Sequence, residues 1–86
     1  MNIIYKRYVQ AQNNNPNYII AMKCGDFYQI LGFGAIIVAN QLNFTLTGRE
    51  CGVEERALMV GFPLCMKDTV QEQMSNSVFN IKFIDY

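Results

Sequence analysis

The residues of this sequence best suited to chemistry are its cysteines and a pair of adjacent carboxylates. The cysteines are Cys24, Cys51 and Cys65, and a cysteine nucleophile needs a base such as histidine beside it. The 86-residue sequence contains no histidine, which excludes histidine-based acid–base catalysis and histidine-ligated metal sites. Glu54 and Glu55 could pair for acid–base work, but a solvated surface is the commoner role of such a charged segment. The sequence therefore predicts a protein that is not an enzyme.

Nucleotide and metal chemistry lack their usual motifs as well. No glycine is followed by lysine, so the Gly-x-x-x-x-Gly-Lys-Ser/Thr loop of ATPases is absent. The cysteines are odd in number and form no Cys-x-x-Cys, which argues against a zinc site and against a disulfide framework. These features predict no cofactor and a reducing, cytoplasmic compartment. No signal peptide is recognisable, and no apolar run is long enough to span a membrane.

Composition and charge favour a folded domain with an uneven charge distribution. Hydrophobic residues make up 51% and charged residues 16% of the chain, which is typical of a globular protein. Seven basic and seven acidic residues give zero net charge, so bulk electrostatics attract nucleic acid only weakly. However, Lys6, Arg7 and Lys23 all precede the first acid, Asp26. This basic N-terminal part could contact phosphate, and a solvated helix face is the alternative.

Periodicity of apolar residues predicts the elements that must position these side chains. Their order is α-β-β-α-β-β-α-β, which predicts a single two-layer α+β domain over residues 1–86, with a mixed sheet and about three helices. The first strand is expected to be central and to form a hairpin with the second, because Gly25-Asp26 is a turn signal. The predicted helices are 2–12, 35–42 and 68–75, and the predicted strands are 18–24, 27–31, 44–47, 57–61 and 79–86.

Four segments resemble, in the same order, the mismatch-reading domain at the N-terminus of the MutS family. Gly25-Asp26-Phe27-Tyr28 resembles the start of its motif. Leu42-Asn43-Phe44-Thr45-Leu46-Thr47-Gly48-Arg49 is similar to the family's Leu-Asp-Ile-x-Leu-Thr-x-Arg. The segment 51–59, Cys-Gly-Val-Glu-Glu-Arg-Ala-Leu-Met, is similar to Cys-Gly-x-Glu-Glu-Arg-Ala-Pro-Met, and 61–63 stands where the family has Gly-Val-Pro. The pattern runs from residue 25 to residue 63 without a gap.

The resemblance implies binding of double-stranded DNA that carries a mismatch or distortion. The family's domain inserts a phenylalanine from the minor groove against a mispaired base, and Phe27 stands at that position. Gln29 replaces a glutamate that hydrogen-bonds the stacked base, so weaker discrimination is expected, without ATPase activity. Arg49 matches a basic residue near the DNA backbone. The full set of DNA-binding candidates is Phe27, Gln29, Lys23, Asp26, Tyr28, Arg49, Lys6 and Arg7.

Departures from the family suggest a second interpretation. Phe33, Ile36 and Ile37 are apolar where the family has acidic, polar or basic residues, so they are expected to form a partner or self-association surface, with a rearranged core as the alternative. A protein-interaction module would follow, for instance a phage or mobile-element inhibitor of a host defence nuclease of the CRISPR type. The family's domain continues beyond the last strand, and the initial Met1 favours a free-standing, shortened gene product.

Overall fold

The computed structural model describes residues 3–50 and 56–85, which form three α-helices, five strands and a short 3₁₀ turn. The α+β class and the order of elements confirm the expectation from periodicity. The two remaining segments, 1–2 and 51–55, and residue 86 lie outside the described residues, and with them Cys51, Glu54 and Glu55. The elements are α1 (Ile3–Asn14), β1 (Tyr18–Cys24), β2 (Phe27–Leu31), α2 (Phe33–Leu42), β3 (Thr47–Glu50), β4 (Arg56–Pro63), a 3₁₀ turn (Leu64–Met66), α3 (Lys67–Met74) and β5 (Asn80–Asp85).

The strands form one mixed sheet in the order β3-β4-β2-β1-β5. β1 pairs with β2 in an antiparallel hairpin and with β5 in parallel, and β4 is antiparallel to both β2 and β3. The apolar β1 therefore lies inside the sheet, as its composition predicts. Its parallel pairing with β5 requires a long crossover, which the intervening elements supply.

Both faces of the sheet are covered by helices. Ile19 and Ala21 of β1 belong to a core with α2 and α3, and we call this side the α2/α3 face. Ile20 and Met22 point the other way and pack under Tyr8 of α1, on what we call the α1 face. Alternating side chains of one strand supply both cores because successive Cβ atoms point to opposite sides. A helix on each side adds a layer that the two-layer description did not include.

The third strand differs from its expected position. The sequence pattern places it at 44–47, whereas β3 begins at Thr47, which lies opposite Met59 of β4. Phe44 stays outside the sheet and turns its ring toward the core, with its centroid 5.9 Å from that of Phe62. Alternation of apolar residues cannot distinguish these two roles, because the register with β4 decides which residues become a strand.

Tyr8 links α1 to the central strands β1 and β2 through its hydroxyl group. Its hydroxyl donates a 2.6 Å hydrogen bond to the carbonyl oxygen of Ile20 and lies 3.4 Å from that of Leu31. Desolvation by burial raises the pKa of Tyr8 to about 12, although the contact with Leu31 opposes the rise. The phenol is therefore favoured in its neutral form in the folded protein.

Replacing Tyr8 with phenylalanine is expected to lower the free energy of unfolding by about 1 kcal/mol at pH 7, the usual net value of one hydrogen bond. Because the folded pKa lies above the unfolded value of 10, Tyr8 stabilises the fold fully below pH 10 and loses this effect as the pH rises to about 12. That loss amounts to about 2–3 kcal/mol. Urea denaturation between pH 7 and 11.5 measures both effects.

The exposed Tyr18, 41% accessible, is the matched control. Tyr18→Phe should keep the alkaline loss of stability that Tyr8→Phe removes. Parallel pH profiles for the wild type and Tyr8→Phe would contradict the assignment of this titration to Tyr8.

Candidate nucleic-acid interface

The β1–β2 hairpin turns at one end of the sheet, which we call the hairpin end. Cys24 and Phe27 are paired across a two-residue turn made of Gly25 and Asp26. Gly25 has φ +62°, the left-handed conformation that a type II′ turn needs at its first position. A Cβ at Gly25 would meet nothing within 4 Å, so the backbone conformation and not the available space favours glycine here.

Phe27 is exposed at this end although its backbone is held on both sides. It begins β2, lies opposite Cys24 in β1 and Pro63 in β4, and is 51% accessible. The amide of Leu64 donates to the carbonyl oxygen of Asp26 at 3.3 Å and ties the following 3₁₀ turn to the hairpin. An aromatic ring presented on a rigid strand is suited to stacking on a base.

Gln29 lies two residues further along β2 on the same face of the sheet. Every second residue of a strand lies on the same face, so one face of β2 carries Phe27, Gln29 and Leu31. Leu31 packs in the α1-face core, which identifies this face. Gln29 is half-buried, and its neighbours in the adjacent strands are Met22 and Gly61. Its side-chain amide carries both donors and an acceptor.

Tyr28, a DNA-binding candidate from its place in the motif, points into the other core. It is 7% accessible, and its ring centroid lies 5.0 Å from that of Phe83 and 5.7 Å from that of Phe62. The structure therefore gives Tyr28 a packing position on the α2/α3 face, where it fixes the strand that presents Phe27.

Three of the predicted cations lie on the described surface. Lys23 is exposed on β1 opposite Tyr28, beside the hairpin turn. Arg7 lines a shallow cleft with Met22 and Asp85, which places it on the α1 face near the end of β5. Lys6 is exposed on α1. Asp26, the acidic candidate, is exposed in the turn itself.

Arg49 is not brought close to Phe27. It lies opposite Ala57 in β4, six residues before Pro63, the partner of Phe27. At the usual rise of a strand this separation is about 20 Å. The strand position of Arg49 therefore lies well away from the base that Phe27 would meet.

Lys67 is a further cation at the hairpin end that the sequence analysis missed. It begins α3, four residues after Pro63, and its ammonium lies 5.4 Å from the centroid of the Phe83 ring. The position of Lys67 depends on the register between β2 and β4, because the pairing of Phe27 with Pro63 brings the start of α3 to this end.

A second surface lies at the opposite end of the sheet, between α1 and the start of α2. It is a groove of about 710 Å³ whose lining contains no charged residue. Two exposed apolar side chains line this groove, Phe33 at 74% accessibility and Val78 at 90%. Ile37 both lines the groove and packs against the core, and Ile36 is half-buried. The predicted partner surface is thus divided between the exposed Phe33 and residues that contribute to the interior.

Residues 3–50 and 56–85 contain neither a metal-binding cluster nor a membrane-spanning helix. No group of three or more cysteine or carboxylate side chains in these ranges is placed to hold a metal ion. No helix in the same ranges is both long and apolar enough to cross a membrane.

Comparison with known proteins gives a consistent family. The model of MutS domain I matches residues 3–85. The protein named DNA mismatch repair protein MutS from Clostridium novyi (strain NT) is 40% identical over 58 residues, which cover 67% of this chain and 6% of that protein. The proteins of the same name from Clostridioides difficile (strain 630) and Clostridium botulinum (strain 657 / Type Ba4) are 38% and 32% identical over 58 and 76 residues. The match covers 67% and 88% of this chain, but only 6% and 8% of those two proteins.

Proposed function

The chain belongs to the MutS domain I family, and from this premise we propose that it binds double-stranded DNA at mispaired or otherwise distorted positions. The observation that supports the proposal is Phe27, an aromatic side chain 51% accessible on a strand paired on both sides. Its exposure at the hairpin end leaves the ring face free to stack on a base, which a buried ring could not do.

In the proposed mechanism Phe27 enters the minor groove and stacks on an unpaired or mispaired base. Apolar wedges of this kind partly unstack a base step and kink the duplex. The deformation costs less at a mismatch, so the difference in deformation energy becomes a preference for damaged sites. No bond is made or broken, and the proposal includes neither ATPase nor other catalytic activity.

Gln29 is proposed to contact the edge of the base on which Phe27 stacks. It follows Phe27 by two residues on the same face, so its amide approaches the base from the same side of the sheet. Because the amide is neutral and can both donate and accept, it accommodates matched as well as mispaired bases. We therefore expect weaker discrimination than a glutamate would give, without loss of non-specific binding.

Phosphate contacts are assigned to Lys23, Arg7, Lys6 and Arg49. Four contacts correspond to non-specific dissociation constants of about 10⁻⁴–10⁻⁶ M at physiological salt. The curated relatives are far longer than this chain, which matches 6–8% of their length, so their full activity is not carried over here. A cytoplasmic location fits the proposal because DNA is accessible there in bacteria.

The function is tested by fluorescence anisotropy with labelled duplexes at low salt, one matched and one with a G·T mismatch or an unpaired base. We expect tighter binding to the distorted duplex, and a slope of log affinity against log salt to which these four phosphate contacts contribute about −3.6. Equal binding to both duplexes would contradict recognition of distortion, and no binding at high micromolar concentrations would contradict the proposal as a whole.

A second candidate function is protein binding at the uncharged groove. The exposure of Phe33 and Val78 at its rim favours it, and the occupant would be a host nucleic-acid-processing protein or a second copy of this chain. Binding there should barely respond to salt, in contrast to binding to DNA. A strict monomer in static light scattering would exclude self-association, and a complex that survives Phe33→Ala would exclude this groove.

A further inference from the structure

We propose that Lys67 is an additional DNA-contacting residue, which together with Lys23 binds backbone phosphates on the α2/α3 side of the hairpin end. The inference rests on the proposed function, since it concerns the same DNA interface. It adds a contact on the side of the sheet opposite to Phe27, and so predicts how the duplex lies across this end of the molecule.

The position of Lys67 is fixed by a short and well-held connection. Pro63 is paired with Phe27, and the chain then passes directly into the 3₁₀ turn and α3. The hydrogen bond from the amide of Leu64 to the carbonyl oxygen of Asp26 joins this connection to the hairpin turn. The first residue of α3 therefore cannot move far from the hairpin end while the sheet is intact.

Lys67 and Lys23 each lie beside one of two aromatic rings that contact each other. The Lys67 ammonium lies 5.4 Å from the centroid of Phe83, whose ring is 5.0 Å from that of Tyr28. Tyr28 is in turn the strand partner of Lys23. Both lysines consequently lie on the α2/α3 face, next to the exposed turn.

The ammonium of Lys67 keeps its charge available for an anion. Among the described residues no carboxylate lies within 4 Å of it, and the ammonium lies over the face of the Phe83 ring. A ring face attracts a cation without neutralising it. Asp68 is the next residue of the helix, and adjacent helical residues do not face each other.

Lys23 has a less favourable charge environment than Lys67. Its parallel strand partner is Asp85, which also lines the cleft of Arg7, so this carboxylate lowers the positive potential near both cations. We therefore expect Lys67 to be the stronger of the two phosphate contacts, although only Lys23 was predicted from the sequence.

The two faces of the sheet place cations on both sides of the aromatic wedge. Arg7 lies on the α1 face, which also carries Phe27 and Gln29, whereas Lys67 and Lys23 lie on the other face. A minor groove is bordered by the phosphates of its two strands. With Phe27 in the groove, Arg7 would face one backbone and the two lysines the other.

The test compares Lys67→Gln with Lys82→Gln by anisotropy titration of the 86-residue chain over a range of salt concentrations. Lys82 is the matched control, because its ammonium also lies near a ring, 5.7 Å from that of Tyr18, and donates to Asn15 at 2.9 Å, away from the hairpin turn. Lys67→Gln is expected to reduce the magnitude of the salt slope by about 0.9. When salt falls from 1 M to 0.1 M, the variant should therefore gain about eightfold less affinity than the wild type. Matched and mismatched duplexes should lose affinity equally, since a phosphate contact carries no sequence information.

A rescue variant and an altered DNA complete the experiment. Lys67→Arg should restore the slope, and one neutral methylphosphonate at the contacted phosphate should weaken wild type but not Lys67→Gln. An unchanged slope in Lys67→Gln, or an equal change in Lys82→Gln, would overturn the inference while the proposed function stands. Absence of DNA binding by wild type would instead overturn the proposed function, and these failures are therefore distinguishable.

Discussion

Alanine at position 27 is expected to abolish the preference for mismatched over matched duplex. Stacking between an aromatic side chain and a base contributes about 1–3 kcal/mol, so affinity for the mismatched duplex should fall by about 5- to 150-fold. Affinity for the matched duplex should change little, because its phosphate contacts do not involve the ring. Anisotropy titration of both duplexes with wild type and Phe27→Ala gives the two affinity ratios directly.

Phe33→Ala provides the matched control for this result. Phe33 is also an exposed phenylalanine, 74% accessible, but it lies at the groove at the other end of the sheet. Thermal unfolding should show similar stability for both variants and the wild type, because neither ring is fully buried. Preference retained by Phe27→Ala, or lost equally in Phe33→Ala, would contradict the assignment of Phe27 as the wedge.

Glutamate at position 29 is expected to increase the ratio of mismatched to matched affinity by about five- to tenfold. A hydrogen bond to a charged group is worth about 1 kcal/mol more than one to a neutral group. The mismatched complex is therefore strengthened where the edge of the displaced base donates to the glutamate. The added charge also repels the phosphates of an ordinary duplex, which offers no displaced base in return. The same paired titrations, performed at low salt where repulsion is largest, measure the ratio.

Gln73→Glu separates the local effect from the change in net charge. Gln73 is exposed in the last turn of α3, away from the hairpin turn, and the substitution adds the same negative charge. It should weaken binding to both duplexes slightly and leave their ratio unchanged. An unchanged ratio in Gln29→Glu would show that position 29 does not read the base.

Local periodicity predicts most of this fold because the apolar spacing that identifies each helix or strand lies within that element. The buried Val70 and Met74 of α3 recur every four residues, and the two-residue turn at Gly25 defines the hairpin. The start of β3 was misplaced because Phe44 has the pattern of a strand residue but packs as a loop residue. Pairing with β4 is a long-range property that a local pattern does not contain.

The candidate interface was predictable only where the motif named its residues. Phe27 and Gln29 were identified through the family resemblance, yet their common face and the exposure of Phe27 required the structure. Tyr28 is a DNA-binding candidate only through its place in the motif, and alternation along β2 turns its ring into the α2/α3 core. Lys67 has no signal in the sequence, since its proximity to Phe27 comes from the register of β2 with β4.

The parallel pairing of β1 with β5 has a consequence for the order of folding. Tyr18 is opposite Asn80, 62 positions later in the chain, whereas Cys24 and Phe27 meet across two residues. Closing the long loop costs about 3.7 kcal/mol of chain entropy, so this pairing should form late, after the hairpin. During synthesis the hairpin that carries Phe27 could therefore assemble before the sheet is complete. β1, the first strand of this hairpin, gains its second neighbouring strand only when β5 has left the ribosome.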